Sequence, residues 1–333
     1  MSSKIKIAVD AMGGDNSPNK VIDGIIQHRS FNDKVFYKIF GDEQKIIKFI
    51  DNKIEKNNYQ IVNTLNKVSS EDSPLEAAKK GKDTSMWLAI ESVKKKDCDV
   101  VISAGNTGAL LVISKLNLKM IENIDKPALS ALWPNKKGMS VVLDLGANIE
   151  CSTKNLFDFS IMGASLYKSL YPSETPNVAL LNIGSEELKG NETIKETFKI
   201  LKEKNSEEFN FSGYIEGNEL MNGKVNVIVS DGFTGNVALK TAEGTANFII
   251  GELKQALRKN LIGKISSLIN FVNLNKFKKR LDPRLYNGAI FIGLDSPVGK
   301  SHGGTDYIGF SNSRDVCCKI IKGDLIEKIK RNI

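Results

Sequence analysis

The chemistry-bearing residues of this chain gather in short glycine- and asparagine-rich stretches, each following a run of apolar, β-branched residues. Asp10-Ala11-Met12-Gly13-Gly14-Asp15 follows the first run, and Ala104-Gly105-Asn106-Thr107-Gly108 follows another. Asp144-Leu145-Gly146-Ala147-Asn148, Gly184-Ser185-Glu186-Glu187-Leu188-Lys189-Gly190 and Ser230-Asp231-Gly232-Phe233-Thr234-Gly235-Asn236 repeat the arrangement. Glycine lets a backbone approach a ligand closely, and free N–H groups at a following helix start attract anions. Asparagine adds neutral donors and acceptors without a buried charge. Any one of these stretches could be an ordinary turn. Five of them after five separate strands indicate an α/β enzyme that binds an anion or a phosphate.

Other chemistries lack their residues. The four cysteines, Cys98, Cys151, Cys317 and Cys318, form no CxxC pair, so a zinc ribbon is excluded. The two histidines, His28 and His302, are too few for HExxH or a His-rich metal cluster, and neither lies near a GxSxG elbow. There is no GxxxxGK[ST] loop and no GxGxxG fingerprint. No metal site is expected. His28 reads as a surface residue at a helix end, and His302 as either a phosphate contact or a structural hydrogen-bonder.

Several elements must position these loops. Apolar runs at 4–9, 35–40, 60–62, 100–103, 141–145, 178–183, 225–229 and 289–292 read as strands, with helical patterns between most of them. Continuous apolar strands alternating with helices predict a mainly parallel sheet covered on both faces. Ligands then bind at the carboxyl ends of the strands. Ser17-Pro18 reads as an N-cap followed by proline at the first helical position, and Asp83 or Thr84 as the cap of a helix reaching Lys96. No linker divides the 333 residues, so one α/β domain spanning 1–333 is expected.

Composition agrees: 41% apolar and 26% charged residues suit a globular chain with a large core. The longest apolar runs, such as 109–113, fall far short of the roughly 20 residues of a membrane span. The N-terminus offers no signal-peptide core, so a cytoplasmic protein is expected. The net charge of +8 is concentrated. Residues 251–284 hold nine basic side chains (Lys254, Arg258, Lys259, Lys264, Lys276, Lys278, Lys279, Arg280 and Arg284) against Glu252 and Asp282. They flank an apolar stripe of Leu253, Leu257, Leu261, Ile265, Leu268, Ile269 and Val272 at helical spacing. A basic amphipathic helical segment at 245–285 suits an anionic membrane surface, an acidic carrier protein, or a core or dimer interface. Nucleic acid is disfavoured, because no recognition motif accompanies the patch. A second basic group, Lys79, Lys80 and Lys82, precedes the Trp87 helix and reads as a solvated face.

The same loops carry a specific resemblance. IAVDAMGGD at 7–15, SAGNTGAL at 103–110, DLGAN at 144–148, LLNIGSEELKGNE at 180–192, SDGFTGNVALKT at 230–241 and GLDSPVGKSHG at 293–303 resemble the PlsX family, the phosphate acyltransferases of bacterial phospholipid synthesis. The blocks occur in the family's order over nearly the whole chain. Asn16 stands where the family often has histidine, Asn287 replaces a glycine, and the final block varies at Asp295-Ser296 and Gly299-Lys300. The resemblance implies a fold related to the isocitrate/isopropylmalate dehydrogenase group, a protruding helical segment near 245–285, a homodimer, and no metal or nucleotide cofactor. It also implies transfer of a fatty acyl group from acyl carrier protein to inorganic phosphate. By the same resemblance Lys189 and Asn236 are the catalytic candidates. Asp10, Gly13, Gly14, Asp15, Gly105, Asn106, Thr107, Gly108, Asp144, Asn148, Gly235 and His302 are the candidate phosphate- or substrate-binding set.

That chemistry suits the residues. Phosphate is already an oxyanion, so it requires positioning against the thioester carbonyl rather than a protein nucleophile. It also requires stabilisation of the second oxyanion formed on attack. Two other readings remain at this point: a phosphotransacetylase-like enzyme using acyl-CoA, and a membrane-bound scaffold that recruits carrier proteins without chemistry.

Overall fold

A computed structural model describes residues 4–29, 34–204 and 207–333; the side chains of Arg29, Lys80, Leu261, Gly263, Lys264 and Ser267 lie outside the description. Eleven strands form one mixed sheet: β1 (Ile5–Asp10), β2 (Val35–Gly41), β3 (Tyr59–Asn63), β4 (Val100–Ser103), β5 (Ala128–Pro134), β6 (Met139–Leu143), β7 (Asn177–Asn182), β8 (Asn210–Glu216), β9 (Val227–Val229), β10 (Ala289–Ile292) and β11 (Val298–Lys300). Their order is β3-β2-β1-β4-β11-β10-β5-β6-β9-β7-β8. Seven of the ten strand pairings are parallel.

The three antiparallel pairings all lie at the centre, where β10 pairs with β11 and β5, and β5 with β6. Two parallel blocks therefore run in opposite directions. They are also staggered. Asp10, Ser103, Lys300, Ala289, Ala131 and Val142 share one row across the sheet. The carboxyl ends of both blocks thus fall within about 10 Å of one level along the strands, while five strand spacings, about 24 Å, separate β1 from β6.

Both faces are covered, as the continuous apolar strands require. Ile7 and Val9 of β1 join one core with the helices Asn19–Arg29, Thr153–Leu170 and Tyr307–Lys322, whereas Ala8 joins a second core with Ser85–Lys94 and Thr107–Asn117. The helix Gly232–Arg258 buries only Gly232 and Gly235, at its base. It then projects from the body and continues into Leu261–Ile269 and Phe271–Arg280. Phe248, Ile262, Leu268, Ile269, Phe271 and Val272 are exposed on this arm. No helix is long and apolar enough to cross a membrane, among the described residues.

Two local expectations change, and a third is settled between its two alternatives. Ser17-Pro18 is not an N-cap with Pro at the first helical position: its peptide bond is cis, Ser17 donates to Gly13 O (2.6 Å), and the helix starts at Asn19. His28 is not on the surface; it is 3% exposed, with Nδ1 2.6 Å from Tyr37 Oη. Burial, reinforced by Arg314, holds its pKa down at about 3. Thr84, not Asp83, accepts the capping bond of the helix Ser85–Lys94.

Candidate active site

A cleft of about 720 Å³ opens where β1, β4 and β11 end, between the loops 12–17, 67–70, 104–108 and 300–304. Its walls come together because glycine removes the side chains that would collide. A Cβ on Gly13 would stand 2.6 Å from both Asp10 Oδ2 and Gly105 N. Gly14, at φ +81°, faces Ala104 O and Lys20 Nζ at 2.6 and 2.8 Å from the same hypothetical atom.

Asp10 braces this corner from below. It is 1% exposed and accepts from Ser85 Oγ and Ser103 Oγ at 2.6 Å each, and from Met12 N at 3.2 Å. Burial raises its pKa, and the hydroxyl bonds together with the nearby Lys300 oppose that rise. Asn106 is spent on structure: it caps the helix at Ala109 N (3.0 Å) and donates to Ser70 O and Asp72 O. Thr107 is exposed at the first turn of that helix. Gly108 is small because Pro74 Cγ would lie 2.6 Å from a Cβ there. Asp15 is exposed at the mouth and holds Gly303 O through its backbone N–H (3.1 Å). His302 lines the cleft, its Nδ1 accepting from Gly304 N (3.2 Å). Asn287 accepts from His302 N and donates to Ser301 Oγ, both at 3.1 Å, so the asparagine that departs from the family pattern pins this loop.

Two lysines that the sequence reading passed over complete the cleft. Lys300, the last residue of β11, is 9% exposed and lines it; its ammonium donates to Gly105 O. Lys20 is 6% exposed and donates to Gly303 O from behind Gly14. Burial and the neighbouring Lys20 hold the Lys300 pKa down at about 8, and burial also lowers that of Lys20.

The remaining candidates lie at the other block's strand ends. Asp144 is fully buried and accepts from Leu129 N, Gly146 N, Ala147 N, Asn148 N and Asn148 Nδ2 at 2.7–3.2 Å. Asn148 is engaged as well, donating to Pro127 O while its own carbonyl accepts from Gly232 N. Gly235 fits because a Cβ there would stand 1.9 Å from Asp144 O. Asn236, half-buried in the second helical turn, donates to Leu145 O (3.0 Å). Lys189 is exposed in the loop after β7, its carbonyl accepting from Asn182 Nδ2 (3.1 Å). Lys189 and Asn236 therefore stand at the same end of neighbouring strands β7 and β9.

The expected set thus falls into two groups, one around the cleft at the ends of β1, β4 and β11 and one at the ends of β6, β7 and β9. The helix Gly232–Arg258 connects them: it starts at the Asn236 corner, and Lys240 and Glu243 act electrostatically on His302.

These features define a class, an α/β protein with a lysine-floored cleft at its strand ends. The comparisons place it more closely. The sequence matches the family described as Fatty acid synthesis protein over residues 5–328. It is 73% identical over 333 residues to the phosphate acyltransferase of Pelagibacter ubique, covering 100% of both chains. It is 42% identical to that of Rhodospirillum rubrum, covering 100% of this chain and 95% of that one. The chain belongs to the phosphate acyltransferase family. In fold it is similar to the EutD phosphotransacetylase from Staphylococcus aureus, with TM-score 0.63 and 15% identity over 97% of this chain and 94% of that one.

Proposed function

We propose that this chain transfers a fatty acyl group from the thioester of acyl carrier protein to inorganic phosphate, releasing acyl phosphate for phospholipid synthesis. The observation that carries this reading is the cleft built from the glycine loops at 12–17 and 104–108, with buried lysine charge at its floor. A phosphate oxygen attacks the acyl carbon, forming a C–O bond. The tetrahedral oxyanion collapses, the C–S bond breaks, and the proton of hydrogen phosphate ends on the carrier thiolate. Positioning and oxyanion stabilisation supply the acceleration.

In this reading Asp10, Gly13, Gly14, Asp15, Gly105, Thr107, Gly108 and His302 shape the phosphate half. Asn106, Asp144, Asn148 and Gly235 hold the loops in place. Lys189 and Asn236 serve the acyl half, the lysine favouring the thiolate and the Asn236 amide polarising the carbonyl. The chain acts as one α/β unit over 1–333, as a homodimer in the cytoplasm. The arm at 245–285 meets an anionic membrane surface or the acidic carrier protein, a reading supported by its exposed apolar side chains beside Lys278, Lys279 and Arg280. Charge reversal at these three is expected to weaken binding to anionic liposomes or to the carrier; unchanged binding to both makes the arm structural.

Palmitoyl carrier protein incubated with phosphate tests the reaction. Phosphate-dependent loss of thioester with acyl phosphate formed is the expected result, and no phosphate-dependent loss overturns it. The phosphotransacetylase-like fold keeps acyl-CoA as the rival donor. Equal or better turnover with acyl-CoA would transfer the assignment to that donor.

A further inference from the structure

We propose that Lys300 is the phosphate-binding residue of the cleft, with Lys20 behind Gly14 as its electrostatic partner. This inference rests on the reading of the cleft as a phosphate site.

Two lysine residues with less than a tenth of their surface exposed demand an explanation, because a desolvated cation without a counter-ion is strongly unfavourable. Among the described residues neither lysine forms an ion pair. Each donates to one loop carbonyl, Lys300 to Gly105 O and Lys20 to Gly303 O. An ammonium carries three donors, so each retains capacity for an anion.

The nearest buried carboxylate offsets only one of the two charges. Asp10 shares the sheet row of Ser103 and Lys300 and acts electrostatically on Lys300, while its oxygens accept from Ser85, Ser103 and Met12 N–H. Two buried cations against one buried carboxylate leave a positive excess at the cleft floor. Asp15 sits at the mouth, exposed, where water weakens its pull on Lys20. A small anion supplies the missing charge.

The backbone keeps the approach open. At Gly14 a methyl group would come within 2.8 Å of Lys20 Nζ, and at Gly105 within 2.7 Å of Met86 Cε. The helix Thr107–Asn117 begins at the same wall, and its first N–H groups add to the attraction for an anion. Burial together with Lys20 depresses the Lys300 ammonium, which an arriving anion would restore.

Phosphate of the same charge chemistry could come from the inorganic ion or from the phosphomonoester of 4′-phosphopantetheine. The experiment separates them. Binding of inorganic phosphate, and separately of 4′-phosphopantetheine, is measured by calorimetry and ³¹P NMR on the full chain and on the variants Lys300→Met, Lys300→Arg and Lys20→Met, each checked by circular dichroism. Lys300→Met is expected to weaken inorganic phosphate at least about thirtyfold, Lys20→Met about three- to tenfold, and Lys300→Arg to recover part of the loss. The KM for phosphate should rise while the KM for the acyl donor stays unchanged.

Unaltered phosphate affinity in folded Lys300→Met overturns the proposal. So does loss of 4′-phosphopantetheine binding with inorganic phosphate retained. Should Lys300→Met fail to fold, Lys300→Gln and the Lys20→Met measurement decide the matter. If the unmodified protein binds phosphate through these lysines yet makes no acyl phosphate, the anion seat stands and the proposed reaction falls. If it makes acyl phosphate while the variants bind phosphate normally, the reverse holds.

Discussion

Two corners of this molecule begin alike and end differently. β1 and β6 both run into a buried aspartate followed within three residues by glycine, Asp10-Ala11-Met12-Gly13 and Asp144-Leu145-Gly146. Asp144 is saturated by five N–H donors, four from backbone, and lies at the base of the helix carrying Asn236. Asp10 takes two hydroxyls and one amide and sits within electrostatic reach of Lys300, at the floor of an open cleft. The same turn chemistry thus produces a closed structural knot in one place and a charged hollow in the other. What differs is the flanking strands: beside β4 lies β11, which ends in Lys300, while beside β6 lies β9, which ends in Val229.

The largest effect should come from breaking the knot. In Asp144→Ala the N–H groups of Leu129, Ala147 and Asn148 lose their acceptor at a fully buried position. Unmet donors at such a site cost about 3–5 kcal/mol in all, read as a large drop in the urea midpoint. Asp10→Asn keeps the shape and an acceptor for the hydroxyls, so its stability loss should stay near 1–2 kcal/mol while phosphate affinity changes. Equal destabilisation by the two would erase the distinction between the corners.

Much of this was legible from residue order. Strands 100–103 and 289–292 were read as they lie, and the glycine loops stand at strand ends because only glycine tolerates the approaches seen at Gly13 and Gly235. β5, β8 and β11 were missed. β5 ends in Trp-Pro, β8 carries a central glycine at φ +82°, and β11 has three residues, so none shows a clean strand period. Without β5 and β11 the central antiparallel step is invisible, and with it the opposed directions of the two parallel blocks that carry the expected residues. Lys20 and Lys300 escaped for a related reason: a lone lysine looks solvated in sequence, and only tertiary packing buries it. Asn106 and Asn148 were the reverse case, polar residues in the right loops whose amides are already engaged by backbone.

The two corners should also differ in the chemical step they serve. Lys189→Ala and Asn236→Ala should each lower turnover about 10²-fold, by analogy with removing an oxyanion donor. Because both stand at the β7 and β9 ends, away from the lysine floor, their phosphate affinity by ³¹P NMR should match the parent. A folded Lys189→Ala or Asn236→Ala with near-normal turnover removes that residue from the mechanism. Weakened phosphate binding in either would mean that the residue contacts phosphate as well as the acyl group.

The smallest and sharpest effect is in pH. Lys300 sits among Asp10 on β1, Lys20 on the helix Asn19–Arg29, and His302 in its own loop, which Lys240 and Glu243 bias from the projecting helix. With its pKa held at about 8, Lys300 is charged at neutral pH and loses its proton just above it. Phosphate affinity should therefore fall as pH rises past about 8, by at most about tenfold per unit. Stability moves the other way. The unfolded lysine keeps its proton to its ordinary value of 10.5, so between about 8 and 10.5 the unfolded state binds more protons and the fold gains stability. Lys300→Arg cannot deprotonate in this range and should flatten both curves. A phosphate affinity that declines above pH 8 as steeply in Lys300→Arg as in the parent would assign the titration to another group and return the two corners to electrostatic equivalence.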